Sequence, residues 1–136
     1  MDDTALLGAI TTEVEQLHEV FESWFGDDIA SLDRVEEALG DTFSIVMPDG
    51  AIVTREPLMT GLHNSRGSRN VRITIRNVEI QWRHRDAVVA TYEEWQEQAK
   101  FTTGRLSTVV FTQVDAAPNG LRWEHVHETW LQPPVG

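Results

Sequence analysis

The spacing of apolar residues changes once along the chain, from a helical period to a strand period. Through residues 4–25 apolar side chains recur three or four positions apart, as in Leu6, Ile10 and Val14, which predicts an amphipathic helix with one buried face. From Thr42 onward the spacing is that of strands. Helices that precede a run of strands indicate an α+β domain, in which the helices cover one face of a sheet.

The two predicted helices end at glycines. Gly26 stops the first helix, and Gly40 is expected to cap a second, shorter helix whose apolar residues lie between Ile29 and Leu39, because glycine tolerates the backbone conformation that closes a helix. The glutamates of the first helix are assigned to faces other than its apolar stripe: Glu13, Glu15, Glu19 and Glu22.

The middle of the chain predicts short elements and a bend. "TFSIVMPDGAIVTR" predicts two short strands around a Pro-Asp-Gly turn, and "EPLMTGLHNSRG" predicts a short helix. In "VRITIRNVEIQW" the alternation of apolar residues slips by one position near Arg76 and Asn77. Such a slip is typical of a β-bulge or a sharp bend.

The rest of the sequence predicts long antiparallel strands. They run through "DAVVATYEEWQEQA", "GRLSTVVFTQV" and "LRWEHVHETWL", and the connection "DAAPNGL" contains the asparagine-glycine pair of a tight hairpin. Neither face of "TYEEWQEQ" is purely apolar, which indicates either a strand between a polar cavity and a hydrated subunit interface or an edge region partly in solvent.

Charge and composition exclude several classes of function. The net charge is −11, with thirteen acidic residues and one arginine in residues 1–49. A surface of this sign repels phosphate backbones, so we expect no nucleic-acid partner. The arginines of "SRGSRNVRITIR" are expected to lie on the solvent side of a strand.

The chain contains no cysteine, which excludes disulfides and thiolate metal sites and favours the cytoplasm. No apolar run reaches the length of about 20 residues that crosses a bilayer, so we expect no membrane partner.

Two local motifs accompany this order of elements. "MPDG" follows the first short strand, and "RWEHVH" contains Trp123, Val126 and His127. With these motifs the chain resembles the nuclear transport factor 2-like superfamily of cystatin-like α+β proteins, which includes SnoaL-like polyketide cyclases, ketosteroid isomerases and the association domain of calmodulin-dependent kinase. The resemblance covers nearly all of residues 1–136 as one domain. His125 departs from it, because an aliphatic residue usually stands at that position.

The resemblance implies a cone-shaped half-barrel, in which a strongly bent antiparallel sheet wraps around the long N-terminal helix and leaves a cavity at its open end. It also implies a homodimer that forms through the outer face of the sheet. The same scaffold carries enzymes, ligand binders and assembly domains, so the fold alone does not assign a function.

The catalytic residues of the related isomerases are not matched. Those enzymes place an aspartate before the proline of the first-strand motif and a tyrosine on the first helix, whereas Met47 precedes Pro48 here and the chain's one tyrosine is Tyr92. Asp49, two positions beyond Met47, keeps proton abstraction open. No catalytic residue is therefore assigned, and no cofactor is expected.

Six residues are predicted to contact a ligand. Residues two apart on a strand share a face, so Trp123, His125 and His127 are expected to lie on one side of the last strand. The two histidines are candidates for an acid, a base or a hydrogen-bond donor. They also remain open as a core or subunit-interface pair, whereas a metal site is not predicted. The full candidate set is Trp24, Tyr92, Glu94, Arg105, His125 and His127.

The sequence therefore predicts a homodimeric, cytoplasmic domain that binds a small, partly apolar molecule in the cavity of the cone. Two alternatives remain open. One is an enzyme of the SnoaL or ketosteroid isomerase kind that uses a cavity histidine or glutamate for proton transfer. The other is an assembly module without a ligand.

Overall fold

The amphipathic N-terminal segment forms a 23-residue helix, α1 (Asp3–Phe25), in a computed structural model that describes residues 2–29 and 31–135. Asp2 caps its first turn by accepting a hydrogen bond from the backbone N–H of Ala5. The elements that follow are α2 (Asp33–Ala38), β1 (Leu39–Val46), β2 (Ile52–Thr54), α3 (Arg55–Asn64), β3 (Arg72–His84), β4 (Ala87–Glu97), β5 (Thr102–Gln113), a 3-10 turn (Pro118–Gly120) and β6 (Leu121–Gln132).

The six strands form one sheet in the order β2-β1-β6-β5-β4-β3. Neighbouring strands are antiparallel except β1 and β6, which are parallel. The predicted bulge is confirmed, because the β3–β4 register shifts between Arg76 and Glu79 and Asn77 adopts a left-handed φ of 54°. The bent, unclosed sheet around α1 confirms the predicted α+β, cone-shaped half-barrel.

The inner face of the sheet is buried under α1, and it includes polar side chains that are unusual on a buried face. Side chains of β4 alternate strictly between the inner and outer faces. The inner residues are all buried: Val88, Ala90, Tyr92, Glu94 and Gln96. The first half of this set is apolar and packs in the core, whereas the second half brings a carboxylate and an amide to the inside of the cone.

Two details of the predicted helices are wrong. Gly40 does not cap α2, because the chain is already extended at Leu39, which pairs with Trp123 of β6, and Gly40 belongs to β1. Glu13 does not lie apart from the buried side of α1, because it is fully buried and accepts hydrogen bonds from Arg34, Asn119 and Trp123.

The predicted common face of Trp123, His125 and His127 is also wrong. The register between β5 and β6 shifts between Trp123 and His125, so that one additional residue is accommodated in β6. Side chains beyond this bulge exchange faces relative to simple alternation. The inner face of β6 therefore carries the buried residues Trp123, Val126 and Glu128, whereas His125 and His127 lie on its outer face.

Candidate functional site

A cavity of about 180 Å³ lies between α1, α3, β1 and the inner face of the sheet. Its wall is largely apolar, with side chains that include Phe21 and Phe25 of α1, Phe43 of β1, and Leu58 and Leu62 of α3. These residues line one wall because the apolar stripe of α1 and the inner positions of β1 face each other. Most of the polar lining residues belong to β4, β5 and β6, and His18 of α1 and Arg69 complete this polar part of the wall.

A buried ion pair connects the helix to that polar wall. The imidazole Nε2 of His18 lies 3.0 Å from the Oε1 of Glu94, and its Nδ1 lies 2.7 Å from the carbonyl oxygen of Val14. The carbonyl of Val14 only accepts hydrogen bonds, and so does the carboxylate of Glu94 when it is ionised, so this arrangement suits a doubly protonated, cationic His18. Burial opposes this charge, but the Glu94 carboxylate raises the pKa of His18 above its usual value.

Glu94 is the anionic half of this pair. Burial alone would raise the pKa of its carboxyl group, but the charge and hydrogen bond of His18, the charge of Arg105 and the Gln96 amide lower it to about 2. The Nε2 of Gln96 donates to the Oε2 of Glu94 over 2.6 Å. Glu94 is therefore ionised and occupied on both oxygens.

A second carboxyl group in the same wall, that of Glu128, has a raised pKa where Glu94 has a lowered one. Burial and the negative charge of Glu94 raise the pKa of Glu128, against the opposing charge of Arg105. The Nη1 of Arg105 donates to the Oε1 of Glu128 over 3.1 Å, and the hydroxyl of Ser107 donates to Oε2 over 3.3 Å. Burial and both carboxylates raise the pKa of Tyr92 well above its usual value, so its phenol remains neutral.

Arg69 marks the opening of the cavity. It lies on the segment between α3 and β3, lines the cavity and is exposed to solvent. Its guanidinium lies 4.3 Å from the centre of the Phe25 ring, within the range of a cation–π contact. A molecule that enters the cavity from this side passes this cation first.

The structure brings three of the six predicted residues to the cavity. Tyr92, Glu94 and Arg105 line it. Trp24 is buried between α1 and α3, where its indole Nε1 donates to the carbonyl of Leu62, and it is not among the residues lining the cavity. His125 and His127 lie on the outer face, where the Nδ1 of His125 is 2.8 Å from the hydroxyl of Ser44. A ligand contact for any of the six stays a prediction.

Four polar lining residues were not predicted from the sequence: His18, Arg69, Gln96 and Glu128. His18 occurs four positions after Val14 on the apolar stripe of α1, so helical spacing alone could have placed it inside. Gln96 shares the alternating face of Tyr92 and Glu94. Glu128 could not be placed without knowledge of the bulge in β6, and Arg69 is on a segment without regular periodicity.

Other candidate chemistry receives no support from the geometry. Asp49 is exposed in the turn between β1 and β2, where its carboxylate accepts a hydrogen bond from the backbone N–H of Ala51. Within residues 2–29 and 31–135, no three His, Asp or Glu side chains are grouped so that they could hold a metal ion. In the same part of the chain, no helix combines the length and apolarity needed to span a bilayer.

Comparison with known proteins finds relatives among solved structures. No protein-family model and no curated protein matches the chain. A nuclear transport factor 2-like protein of unknown function from Pseudomonas aeruginosa is 28% identical, with 90% of this chain and 98% of its own covered and a TM-score of 0.82. A CaMKII hub from S. rosetta is 17% identical over 90% and 95% of the two chains, with a TM-score of 0.74. A nuclear transport factor 2-like protein from Cytophaga hutchinsonii is 17% identical over 96% and 100%, with a TM-score of 0.69.

The protein is an α+β cone, as its bent sheet around α1, its inner cavity and its similarity to these structures show. The chain is a member of the nuclear transport factor 2-like superfamily, which confirms the resemblance drawn from its sequence.

Proposed function

We propose that this protein binds a small, partly apolar molecule in the cavity of the cone. The observation that carries the proposal is the mixed lining of the cavity, in which apolar side chains of α1, β1 and α3 accompany polar groups that come mainly from β4, β5 and β6. Ligand sites are typically concave, mostly apolar and provided with a few polar groups that fix orientation. Of the six candidate residues, Tyr92, Glu94 and Arg105 line the cavity, and the proposal includes only these three.

The size of the cavity limits the ligand. At about 180 Å³ it is smaller than the range of about 300–1,000 Å³ that is usual for drug-sized ligands. A molecule with a short chain or one small ring fits this space, whereas a steroid-sized ligand requires the walls to move. Most of the polar wall is already paired internally, so the ligand gains most of its binding energy from apolar contact.

A substitution that fills the cavity is expected to abolish binding of a neutral probe. Leu58 lines the cavity from α3, and Leu58→Trp adds several heavy atoms to that space. We expect saturation-transfer NMR to detect 1-hexanol binding to the natural chain and to lose the effect in Leu58→Trp. Thr60→Trp is the matched control, because Thr60 lies on the same helix and is exposed. Overpacking typically costs about 1–3 kcal/mol, so near-ultraviolet circular dichroism must show that Leu58→Trp is folded. Equal binding to both variants would contradict the proposal.

The same proposal includes a homodimer through the outer face of the sheet. The centre of this face carries Val89 of β4, Val110 of β5 and His125 of β6 in one cross-strand row. All three are half-buried in the single chain. Two apolar side chains beside polar ones suit a subunit interface of mixed character. The hub of the S. rosetta protein supports self-association on this fold only by analogy.

Light scattering tests the dimer. We expect a mass of twice the 15.4 kDa monomer for the natural chain. Val110→Asp places a charge at the centre of the outer face, and burying that charge without a partner is costly, so this variant is expected to be monomeric. Thr60→Asp introduces the same charge on α3 and is expected to remain dimeric. A monomeric natural chain, or a dimeric Val110→Asp, would rule out this interface.

One observation favours a second candidate function, proton transfer. Glu94 and Glu128 line one cavity, and their environments move their pKa values in opposite directions, which is the arrangement that separates an acid from a base. It ranks second because neither the aspartate nor the tyrosine of the related isomerases is present. A ligand recovered unchanged after incubation with the protein, as judged by mass spectrometry, favours binding alone. We place either activity in the cytoplasm, in keeping with a sequence without cysteine.

A further inference from the structure

We propose that the cavity selects small monocarboxylates, whose carboxylate group lies between Arg69 and Arg105 and whose apolar part lies along the wall of α1 and α3. This inference rests on the proposed function, because it names the chemical class of the ligand for the same cavity. Three independent features support it: an unpaired donor, an unpaired cation at the opening, and the balance of charge inside.

The unpaired donor belongs to Arg105. Its side chain is 13% exposed, its Nη1 donates to Glu128, and its Nε is buried without a hydrogen-bond partner. A buried donor without an acceptor is unfavourable, and arginine presents its N–H groups in a planar fork that matches a carboxylate. An oxygen atom of a ligand in the cavity would provide the acceptor that the Nε lacks.

The unpaired cation is Arg69. Among residues 2–29 and 31–135, no carboxylate lies within ion-pair distance of its guanidinium, which is instead held over the ring of Phe25. Arg69 and Arg105 line the same cavity, and partial burial and the charge of Arg105 lower the pKa of Arg69, against the charge of Glu94, which raises it. An anion between them would replace the repulsion between the two cations with two attractions.

The charges of the cavity leave an excess of positive charge. His18, Arg69 and Arg105 line it as cations, against the two carboxylates Glu94 and Glu128. Both carboxylates are already hydrogen-bonded, Glu94 to His18 and Gln96, Glu128 to Arg105 and Ser107. One additional negative charge balances this set, and a single carboxylate supplies it. A phosphate with a second negative charge would face repulsion from Glu94 and Glu128.

The apolar wall specifies the rest of the ligand. Phe25, Leu58 and Leu62 line the cavity together with Arg69, whose guanidinium lies over the ring of Phe25. A chain or small ring attached to the carboxylate would bury its surface against them, with a gain proportional to the area removed from water. The predicted ligand is therefore an aliphatic or aromatic acid of about the size of hexanoate or benzoate.

Calorimetric titration with hexanoate and with hexanamide, its neutral analogue of nearly equal shape, tests the inference. We expect the natural chain to bind hexanoate about tenfold more tightly than hexanamide or better, because hydrogen bonds to a charged group are stronger than those to a neutral one. Arg69→Gln is expected to lose this preference because it removes a charge, and Arg105→Lys is expected to reduce it because lysine lacks the planar guanidinium fork; both variants are expected to retain hexanamide binding. Arg105→Lys keeps a cation beside Glu128, so it guards against misfolding of a variant without that charge.

Arg72→Gln is the control, because Arg72 is exposed, lies three residues from Arg69 and does not line the cavity. It removes the same charge and is expected to keep the preference. Equal affinity for hexanoate and hexanamide would overturn the carboxylate inference and leave the proposed function standing. Binding of neither probe would overturn both. A preference that survives in Arg69→Gln and Arg105→Lys, or that disappears in Arg72→Gln, would overturn the assignment to these two arginines.

Discussion

Glu13→Ala is expected to lower the free energy of unfolding by about 3–5 kcal/mol, the usual cost of removing one partner from a buried ion pair. Glu13 is fully buried. Its two oxygens accept hydrogen bonds from the Arg34 guanidinium at 2.5 and 3.2 Å, from the Asn119 amide at 2.8 Å and from the Trp123 indole at 2.8 Å. The substitution leaves the buried Trp123 indole without its acceptor, and it leaves Arg34 and Asn119 with Gln16 as their remaining side-chain acceptor.

The effect of Glu13 extends from stability to the site. The carboxylate of Glu13 connects α1 to Arg34 of α2, to Asn119 in the connection before β6, and to Trp123, whose ring lines the cavity. Urea unfolding followed by circular dichroism measures the loss. Glu15→Ala is the control, because Glu15 is exposed on the same helix and surface substitutions typically change stability by less than about 0.5 kcal/mol. Equal unfolding midpoints for the two variants would show that Glu13 does not organise this region.

The ion pair of His18 and Glu94 is expected to give the protein a stability maximum in mildly acidic solution. The folded pKa of His18 is raised above 6.5, so its contribution is complete below pH 6.5 and is lost as the pH rises through the folded value. The folded pKa of Glu94 is lowered from 4.5 to about 2, so its contribution is complete above pH 4.5 and is lost as the pH falls toward 2. The pair therefore stabilises the fold most between pH 4.5 and 6.5.

Breaking the pair in that interval is expected to cost about 3 kcal/mol. Both side chains are 7% exposed, and His18→Leu leaves a buried carboxylate without its cation. The double variant His18→Leu/Glu94→Leu is expected to lose less, because no uncompensated charge remains. Glu128 acts in the opposite sense to Glu94 and in the same sense as His18, since its raised pKa removes stability as the pH rises above 4.5. The test therefore compares the pH profiles of the natural chain and the double variant. Parallel profiles, or a double variant no more stable than His18→Leu, would contradict a charged pair.

The sequence predicted most of the fold because the periods of its apolar residues are clear. The stripe of α1 and the phase slip at Asn77 each depend on side chains only a few positions apart. Gly40 was assigned wrongly because pairing of Leu39 with Trp123, a contact between distant parts of the chain, extends the backbone before the glycine. The charge of Glu13 separates it from the apolar stripe in the sequence, and its three buried partners, Arg34, Asn119 and Trp123, come from other segments of the chain.

The site was less predictable than the fold for the same reason. One additional residue in β6 exchanges the faces of every side chain beyond it, so that Glu128 enters the cavity and His127 leaves it. The apolar residues Trp123 and Val126 are three positions apart, the same slip in alternation that indicates the bulge in β3, whereas the predicted common face of Trp123, His125 and His127 assumed unbroken alternation. Tyr92 and Glu94 were placed well because β4 alternates without interruption. Arg69 lies outside regular structure, and only the three-dimensional arrangement brings its guanidinium to the opening.

A crystal structure of the protein soaked with hexanoate tests the central claim, ligand binding inside the cone, most directly. The account predicts hexanoate in the cavity, with one carboxylate oxygen within hydrogen-bond distance of the Nε of Arg105, the guanidinium of Arg69 beside it and the chain along Leu58 and Leu62. A cavity that holds only water at saturating hexanoate, or hexanoate bound on the outer face beside His127, would contradict it.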